Sequence, residues 1–240
     1  MGRVALVTGG TRGIGAAISN ALKEAGHNVI AAYAGNEHRA RKFEDSTGIK
    51  TIKFDVSNFE QVADATAQIE SDMGTIEILV NNAGITRDST MHRMTFEQWK
   101  EVIDTNLSGV FNCSRCVIEN MRGNNFGRIV NIGSINGQAG QYGQVNYAAT
   151  KSGIHGFTKA LALEGASKGI TVNAIAPGYV DTDMVRAVPP EILEKIVAGI
   201  PVGRLGNADD IARGVVFLTA DNAGFITGST LSINGGQHMY

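Results

Sequence analysis

Short apolar runs recur along this chain, each followed by a longer stretch of helical periodicity. The runs are Arg3 to Thr8, His27 to Tyr33, Lys50 to Phe54, Ile76 to Val80, Arg128 to Ile132, Ile170 to Ala176 and Leu231 to Asn234. They are rich in β-branched residues and apolar without strict alternation, as strands buried on both faces of a parallel sheet are. Between them lie helical patterns. Ala16 to Ala25 ends at Gly26, and Ser57-Asn58-Phe59-Glu60 reads as a capping box opening a helix to about Met73. Thr95-Phe96-Glu97-Gln98 starts another, continuing to about Met121, and Tyr147 starts one reaching about Lys168. Pro189-Pro190 and Asn207-Ala208-Asp209-Asp210 open two more. Strand alternating with helix predicts an α/β fold, a doubly wound parallel (Rossmann-type) sheet with helices on both faces. No linker or low-complexity stretch divides the chain, so residues 1–240 are expected to form a single domain. The longest departure from the alternation, about 180–205, is expected to be a mobile substrate lid.

In such sheets ligands bind beyond the carboxyl ends of the strands, and there this chain concentrates its unusual residues. The first strand runs into Gly9-Gly10-Thr11-Arg12-Gly13-Ile14-Gly15 and then a helix. Glycines allow the backbone close to a pyrophosphate, and the helix N-terminus offers free N–H groups. The spacing, Thr-Gly-x-x-x-Gly-x-Gly, differs from the common dinucleotide turn. After the second strand comes Ala31-Ala32-Tyr33-Ala34-Gly35-Asn36, without the carboxylate that would bind a ribose 2′-hydroxyl. Arg12 in the glycine turn, with Arg39 and Arg41 just after the strand, suits a 2′-phosphate and hence NADP. Arg39 and Arg41 fit a solvated helix face equally well. Asp55 follows the third strand, where it would hold an adenine edge, and Asn81-Asn82-Ala83-Gly84 follows the fourth, small enough for a cofactor to lie against.

The chemistry is expected where the fifth strand ends. Ser134 stands there, and Tyr147 and Lys151 are four apart at a helix start, hence on one face. A phenol, ordinarily of pKa about 10, beside a cation can exchange a proton with a substrate oxygen. Asn106, polar among apolar neighbours, requires hydrogen-bond partners that either a site or the backbone would satisfy.

Composition narrows the field. The chain is 43% hydrophobic and 18% charged with a net charge of −2, which gives no basic footprint for nucleic acid. No apolar run reaches the roughly 18 residues that cross a bilayer, and the start reads as a strand rather than a signal peptide. Two cysteines fit a reducing compartment, so the expected location is cytoplasmic. Cys113 and Cys116 fall in an apolar helical stretch and read as small core residues rather than a redox pair. The histidines have no metal-ligand spacing, so no metal site is expected.

Thr8-Gly9-x-x-x-Gly13-x-Gly15, Asn81-Asn82-Ala83-Gly84, Asn106, Ser134, Tyr147-x-x-x-Lys151 and Pro177-Gly178 occur in the order found in the short-chain dehydrogenase/reductase family, which the chain resembles throughout. The resemblance implies that Tyr147 exchanges the substrate's proton and Ser134 holds the carbonyl oxygen. It implies that Lys151 lowers the phenol pKa and holds the nicotinamide ribose, while Asn106 anchors a water of the proton relay. It places NADPH/NADP+ against Gly9, Thr11, Arg12, Gly13, Ile14, Gly15, Arg39, Asp55, Asn82, Ala83, Gly84, Tyr147, Lys151, Pro177, Gly178 and Thr182. Within the family the chain looks most like the branch that reduces acetoacetyl-CoA to (R)-3-hydroxybutyryl-CoA for polyhydroxyalkanoate storage. The resembling stretches are Gly84 to Asp88, Asn136 to Gln144, Gly153 to Phe157 and Asn234 to Met239. In that branch residues matching Asp88, Gln141, Tyr142, Gln144 and Tyr179 line the pocket of an acyl-CoA thioester, with phenylalanine usual at Tyr142. The alternative branch reduces 3-oxoacyl groups on acyl-carrier protein, and there positions matching Arg128 and Lys168 dock the carrier, although charges at those places suit a CoA phosphate equally. A sugar or steroid dehydrogenase and a non-catalytic dinucleotide sensor share the fold. The helices over about 96–121 and 147–168 resemble the family's subunit-contact helices, which implies a homotetramer.

Overall fold

The computed structural model describes residues 2–186 and 188–239. Its seven strands are β1 (Val4–Val7), β2 (Asn28–Tyr33), β3 (Lys50–Lys53), β4 (Ile76–Asn81), β5 (Gly127–Ile132), β6 (Ile170–Pro177) and β7 (Thr230–Ile233). They form one sheet in the order β3-β2-β1-β4-β5-β6-β7, and every neighbouring pair is parallel. The order reverses between β1 and β4, which opens a crevice at their carboxyl ends. β1 and β5 are buried along their whole length, which explains why they read as continuous apolar runs.

Helices cover both faces. On one, Ile18 and Leu22 of α1 (Gly13–Glu24), Phe43 of α2 (Glu37–Thr47) and Ile211 and Val215 of α10 (Ala208–Thr219) pack with Val7, Val80 and Ile132 of the sheet. On the other, Val62 and Ile69 of α3 (Phe59–Met73), Val117 and Met121 of α5 (Gly109–Asn124) and Ala162 of α7 (Val145–Gly165) pack with Leu6, Leu79 and Ile129. Cys113 lies in that second core, and both thiols are free.

The caps decide where these helices begin. Thr95 and Gln98 exchange side-chain and backbone hydrogen bonds in a capping box and open α4 (Phe96–Ile103) at the expected start. At α3 the cap falls one residue later than expected, because the Asn58 carboxamide, rather than Ser57, accepts from the Gln61 N–H at 3.1 Å. Ser57 turns back instead to the Asp55 carboxylate. Pro190 occupies the first turn of α9 (Pro190–Ala198), where its missing N–H loses nothing. Between α4 and α5 the helix widens to a π turn over Asp104–Ser108, which helical periodicity alone does not reveal. Among the described residues no helix is long and apolar enough to cross a membrane, and no cluster of three or more ligating side chains could hold a metal ion.

Candidate active site

The crevice beside β1 is shaped by side chains that are missing. Gly9 and Gly13 have φ of +62° and +49°, the left-handed region that favours glycine. A Cβ on Gly15 would stand 2.1 Å from the Gly9 carbonyl oxygen, and one on Gly10 would stand 2.7 Å from that of Val7. The turn therefore folds tightly onto the start of α1, whose first turn has neither a side-chain cap nor an acidic residue. Its free N–H groups and positive dipole end suit a phosphate. Arg12, which precedes this first turn, is exposed, Thr11 is buried, and Ile14 packs against the core beneath. Thr182 reaches the turn from the far side, its methyl 3.8 Å from where a Gly13 Cβ would be.

Asn82 braces this turn. Its carboxamide donates to the Thr8 and Gly9 carbonyls at 2.9 and 3.2 Å, while the Thr8 hydroxyl accepts from the N–H groups of Asn82 and Ala83. At the end of β2 stands Tyr33, with no carboxylate up to Asn36. Asn36 caps α2 by accepting from the Arg39 N–H, which puts Arg39 in the first turn just past β2. Arg41 is paired with Glu37 along the same helix at 2.6 Å. Asp55 follows β3, one carboxylate oxygen taken by Ser57.

The crevice beyond β5 is built from buried polar groups. Ser134 caps the short α6 (Ile135–Ala139), its Oγ accepting from the Asn136 N–H at 3.1 Å. The same hydroxyl faces the Tyr147 phenol closely enough to favour its ionised form. Lys151, 4% exposed, donates to the Ile132 carbonyl at 2.7 Å, and its ammonium lies 5.6 Å from the Tyr147 ring centre. Gly137 lets α6 lie directly on α7, since a Cβ there would touch the backbone and Cβ of Lys151. Tyr147, Ser134 and Lys151 thus meet as the sequence predicts.

Two electrostatic details differ from the expectation. Burial raises the Tyr147 phenol above its ordinary value, against the Ser134 hydrogen bond, and the charge of Asp88 raises it further. Burial also pulls the Lys151 ammonium down to about 8. Loss of hydration is the largest influence on both groups.

Asn106 is fully buried in the π turn, and its amide grips Ile85 twice. The oxygen accepts from the Ile85 N–H at 2.8 Å and the nitrogen donates to the Ile85 carbonyl at 2.9 Å. Of the two readings of this residue, satisfaction by the backbone is the one the side chain adopts. Gly84 lies in the pocket between them: a Cβ there would stand 3.4 Å from the Asn106 oxygen and 3.7 Å from the Lys151 nitrogen. Pro177 ends β6 and Gly178 follows it, pressed so close to Asn234 that a Cβ would stand 2.8 Å from its Cα.

The expected pocket residues divide. Asp88 and Gln144 join at 2.8 Å, and Asp88 lies near enough to Tyr179 for its charge to raise that phenol after burial does. Gln141 and Tyr142 are exposed, Tyr142 to 88%. Arg128, matched by resemblance to a carrier-docking position, is 3% exposed at the opposite end of β5. Its guanidinium donates to the carbonyls of Gly127, Gly169, Ala220 and Asp221 and stacks on Phe126, so it cannot dock a partner.

The sequence reading missed Asn146 and Asn136. Asn146 is fully buried, donates to the carbonyls of Arg87 and Gln98, and accepts from the Tyr147 N–H. It fastens the tyrosine's helix to the loop after β4. Its signal was a polar residue on the buried side of a helix start, as at Asn106.

Residues 9–238 match a family model described as Enoyl-(Acyl carrier protein) reductase, one of the short-chain dehydrogenase/reductase models. This chain is a short-chain dehydrogenase/reductase. The reductase is 63% identical over 240 residues to an acetoacetyl-CoA reductase of Rhizobium meliloti (strain 1021), covering all of both chains. It is 62% identical over 238 residues to one from Shinella zoogloeoides, covering 99% of each chain. To the 3-oxoacyl-[acyl-carrier-protein] reductase FabG of Escherichia coli (strain K12) it is 46% identical over 240 residues, 99% of this chain and 98% of that one.

Proposed function

We propose that this reductase converts acetoacetyl-CoA to (R)-3-hydroxybutyryl-CoA with NADPH, in the cytoplasm, for polyhydroxybutyrate synthesis. The observation that carries the reading is Ser134 facing Tyr147 beside a buried Lys151, with Asp88 joined to Gln144 close enough for its charge to act on the phenol. The higher identity to reductases named for acetoacetyl-CoA favours the CoA ester over a carrier-bound one.

The residues present fit a nicotinamide dinucleotide. The turn from Gly9 to Gly15, which a Cβ would fill, takes the pyrophosphate on the N-terminus of α1. Asp55 takes the adenine edge, and Arg12 and Arg39 take a 2′-phosphate where β2 ends without a carboxylate. Ala83, Gly84, Pro177, Gly178 and Thr182 would hold the nicotinamide half together with Tyr147 and Lys151, and Asn82 keeps the turn in shape. Bound there, the cofactor supplies the hydride that adds to the ketone carbon.

Tyr147 gives its proton to the oxygen that becomes the alcohol. Ser134 has a lone pair engaged by the Asn136 N–H, so its hydrogen is left to point at that same oxygen. Lys151, fixed by the Ile132 carbonyl, stabilises the phenolate that remains and draws a replacement proton through the relay. With its side chain spent on Ile85, Asn106 serves the relay water through its main chain.

The segment 180–205 acts as a lid; its Ala187 lies outside the described residues. It carries α8 (Asp183–Arg186) and α9, and its ends are joined by a bridge between Val180 and Gly206. The 1–240 chain works as one domain and assembles as a homotetramer. The outer faces of α5 and α7 support that assembly, for Phe111, Ile118, Phe157 and Leu161 line an open groove of about 610 Å³ between them.

NADPH oxidation with acetoacetyl-CoA and with an acetoacetyl-carrier protein at equal concentration tests the reading. A kcat/KM at least about tenfold higher for the CoA ester is expected. A preference for the carrier protein moves the enzyme to fatty-acid synthesis with the same catalytic residues.

A further inference from the structure

Three hydrogen bonds run in series across the mouth of the site. The Asp88 carboxylate accepts from the Gln144 amide nitrogen at 2.8 Å. The Gln144 amide oxygen accepts from the Asn136 amide nitrogen at 2.9 Å. The Asn136 backbone N–H then donates to the Ser134 hydroxyl oxygen at 3.1 Å. The series joins three separate segments: the loop after β4, the connection between α6 and α7, and α6 itself.

Its direction is forced. An ionised carboxylate only accepts, so Gln144 must turn its nitrogen to Asp88 and its oxygen the other way. Whatever stands opposite that oxygen must donate. Asn136 does so with its side chain, while its main chain occupies a lone pair of Ser134 and leaves the serine hydrogen for the substrate. We propose that Asn136 is a positioning residue: by fixing the amide polarity of Gln144 it holds the Asp88 carboxylate and the Ser134 hydroxyl in one frame around the substrate.

Asp88 lies close enough for its charge to act on both Tyr147 and Tyr179, so a frame that moves Asp88 changes the surroundings of the reacting oxygen. The bridge between Ser89 and Gln144 and the Ser89 N–H bonded to the Gly143 carbonyl at 2.8 Å keep the two loops in register, so little besides the amide polarity is left to vary. The proposal rests on the reductase reading for its substrate and on geometry alone for the frame.

Asn136→Asp tests it with almost no change in shape. The new carboxylate demands a donor, so Gln144 must present its oxygen to Asp88, acceptor against acceptor. We expect kcat with acetoacetyl-CoA to fall about tenfold to a hundredfold, while KM for NADPH stays within about twofold. Asp88→Asn added to that variant restores the series in the opposite sense. The new amide at position 88 donates to the Gln144 oxygen, and the Gln144 nitrogen donates to the new carboxylate at position 136. The double variant should therefore match Asp88→Asn alone to within about threefold, although independent effects would multiply. Wild-type kcat in Asn136→Asp, or losses that multiply in the double variant, would overturn the proposal. The same four proteins are compared by thermal unfolding without ligand, where the second substitution should cancel the Tm loss of the first. If wild type fails to reduce acetoacetyl-CoA while that cancellation holds, the substrate reading falls and the frame stands. Additive Tm losses beside an active wild type sink the frame and leave the substrate reading.

Discussion

The two halves of the sheet's carboxyl edge reach their shape by opposite means. Beside β1 and β2 the crevice exists because side chains are absent: a turn of glycines, two of them left-handed, and another that leaves an added methyl only 2.1 Å from a carbonyl oxygen. Beyond β5 the crevice exists because polar side chains are buried and paired, Lys151 on Ile132, Asn106 on Ile85 and Asn146 on Arg87. The first half is rigid because nothing more fits. The second is rigid because each polar group would otherwise lie unsatisfied in a dry site. Substitutions should accordingly harm the first half by addition and the second by removal.

The largest effect is expected from removal at the reacting atom. Tyr147→Phe should lower kcat by about a thousandfold or more while NADPH affinity, measured by fluorescence titration, changes little. Retained turnover would break the assignment of the proton donor. Addition comes next. Gly15→Ala drives a methyl into the Gly9 carbonyl and should cost roughly 3 kcal/mol of stability, with weakened NADPH binding, read by urea unfolding and titration. Lys151→Met sharpens the contrast through pH. Burial holds the folded lysine at about 8, below its ordinary 10.5. Between those values the unfolded chain carries a proton that the folded chain lacks, so this residue's contribution to stability rises with pH through that window and is lost below it. The variant should therefore lack a rise of about 2 kcal/mol between roughly pH 7.5 and 9.5 that wild type shows in thermal or urea unfolding. Parallel profiles would mean that the lysine is hydrated. The smallest shift belongs to Tyr33→Asp, which places a carboxylate at the end of β2. It should move the NADPH-to-NADH ratio of kcat/KM by about tenfold toward NADH; an unchanged ratio would refute the 2′-phosphate site.

The same division explains what the sequence disclosed. A crevice made by absence is written in adjacent residues: Gly9 to Gly15 and the missing acid after β2 were legible at once, because turn, strand end and helix start are local. The strands were equally plain, since burial on both faces leaves continuous apolar runs. A crevice made by pairing depends on partners far along the chain. Tyr147 and Lys151 could be put on one face by spacing alone, but the grip of Asn106 on Ile85, the place of Asn146 between the loop after β4 and α4, and the link from Asn136 to Asp88 needed the fold to bring segments together. Arg128 shows the reverse error. A cation matched by resemblance to a carrier-docking position lies buried under four carbonyls, because its position on an inner strand outweighed its charge.

The π turn between α4 and α5 makes length a functional property. A π turn holds more residues than an α turn, so Asp104–Ser108 put the two halves of one rod out of step. The earlier half is tied to the substrate loop through Arg87 and Glu101, the later half to β3's exit through Asn112 and Val56. Each can keep its own packing only while the offset between them is preserved, and the residue that absorbs the offset is Asn106. Removing a single residue there would leave every apolar face its composition and still rotate Asn106 away from Ile85. What this helix encodes at its centre is a count, and point substitutions elsewhere along it do not restore a count once it is wrong.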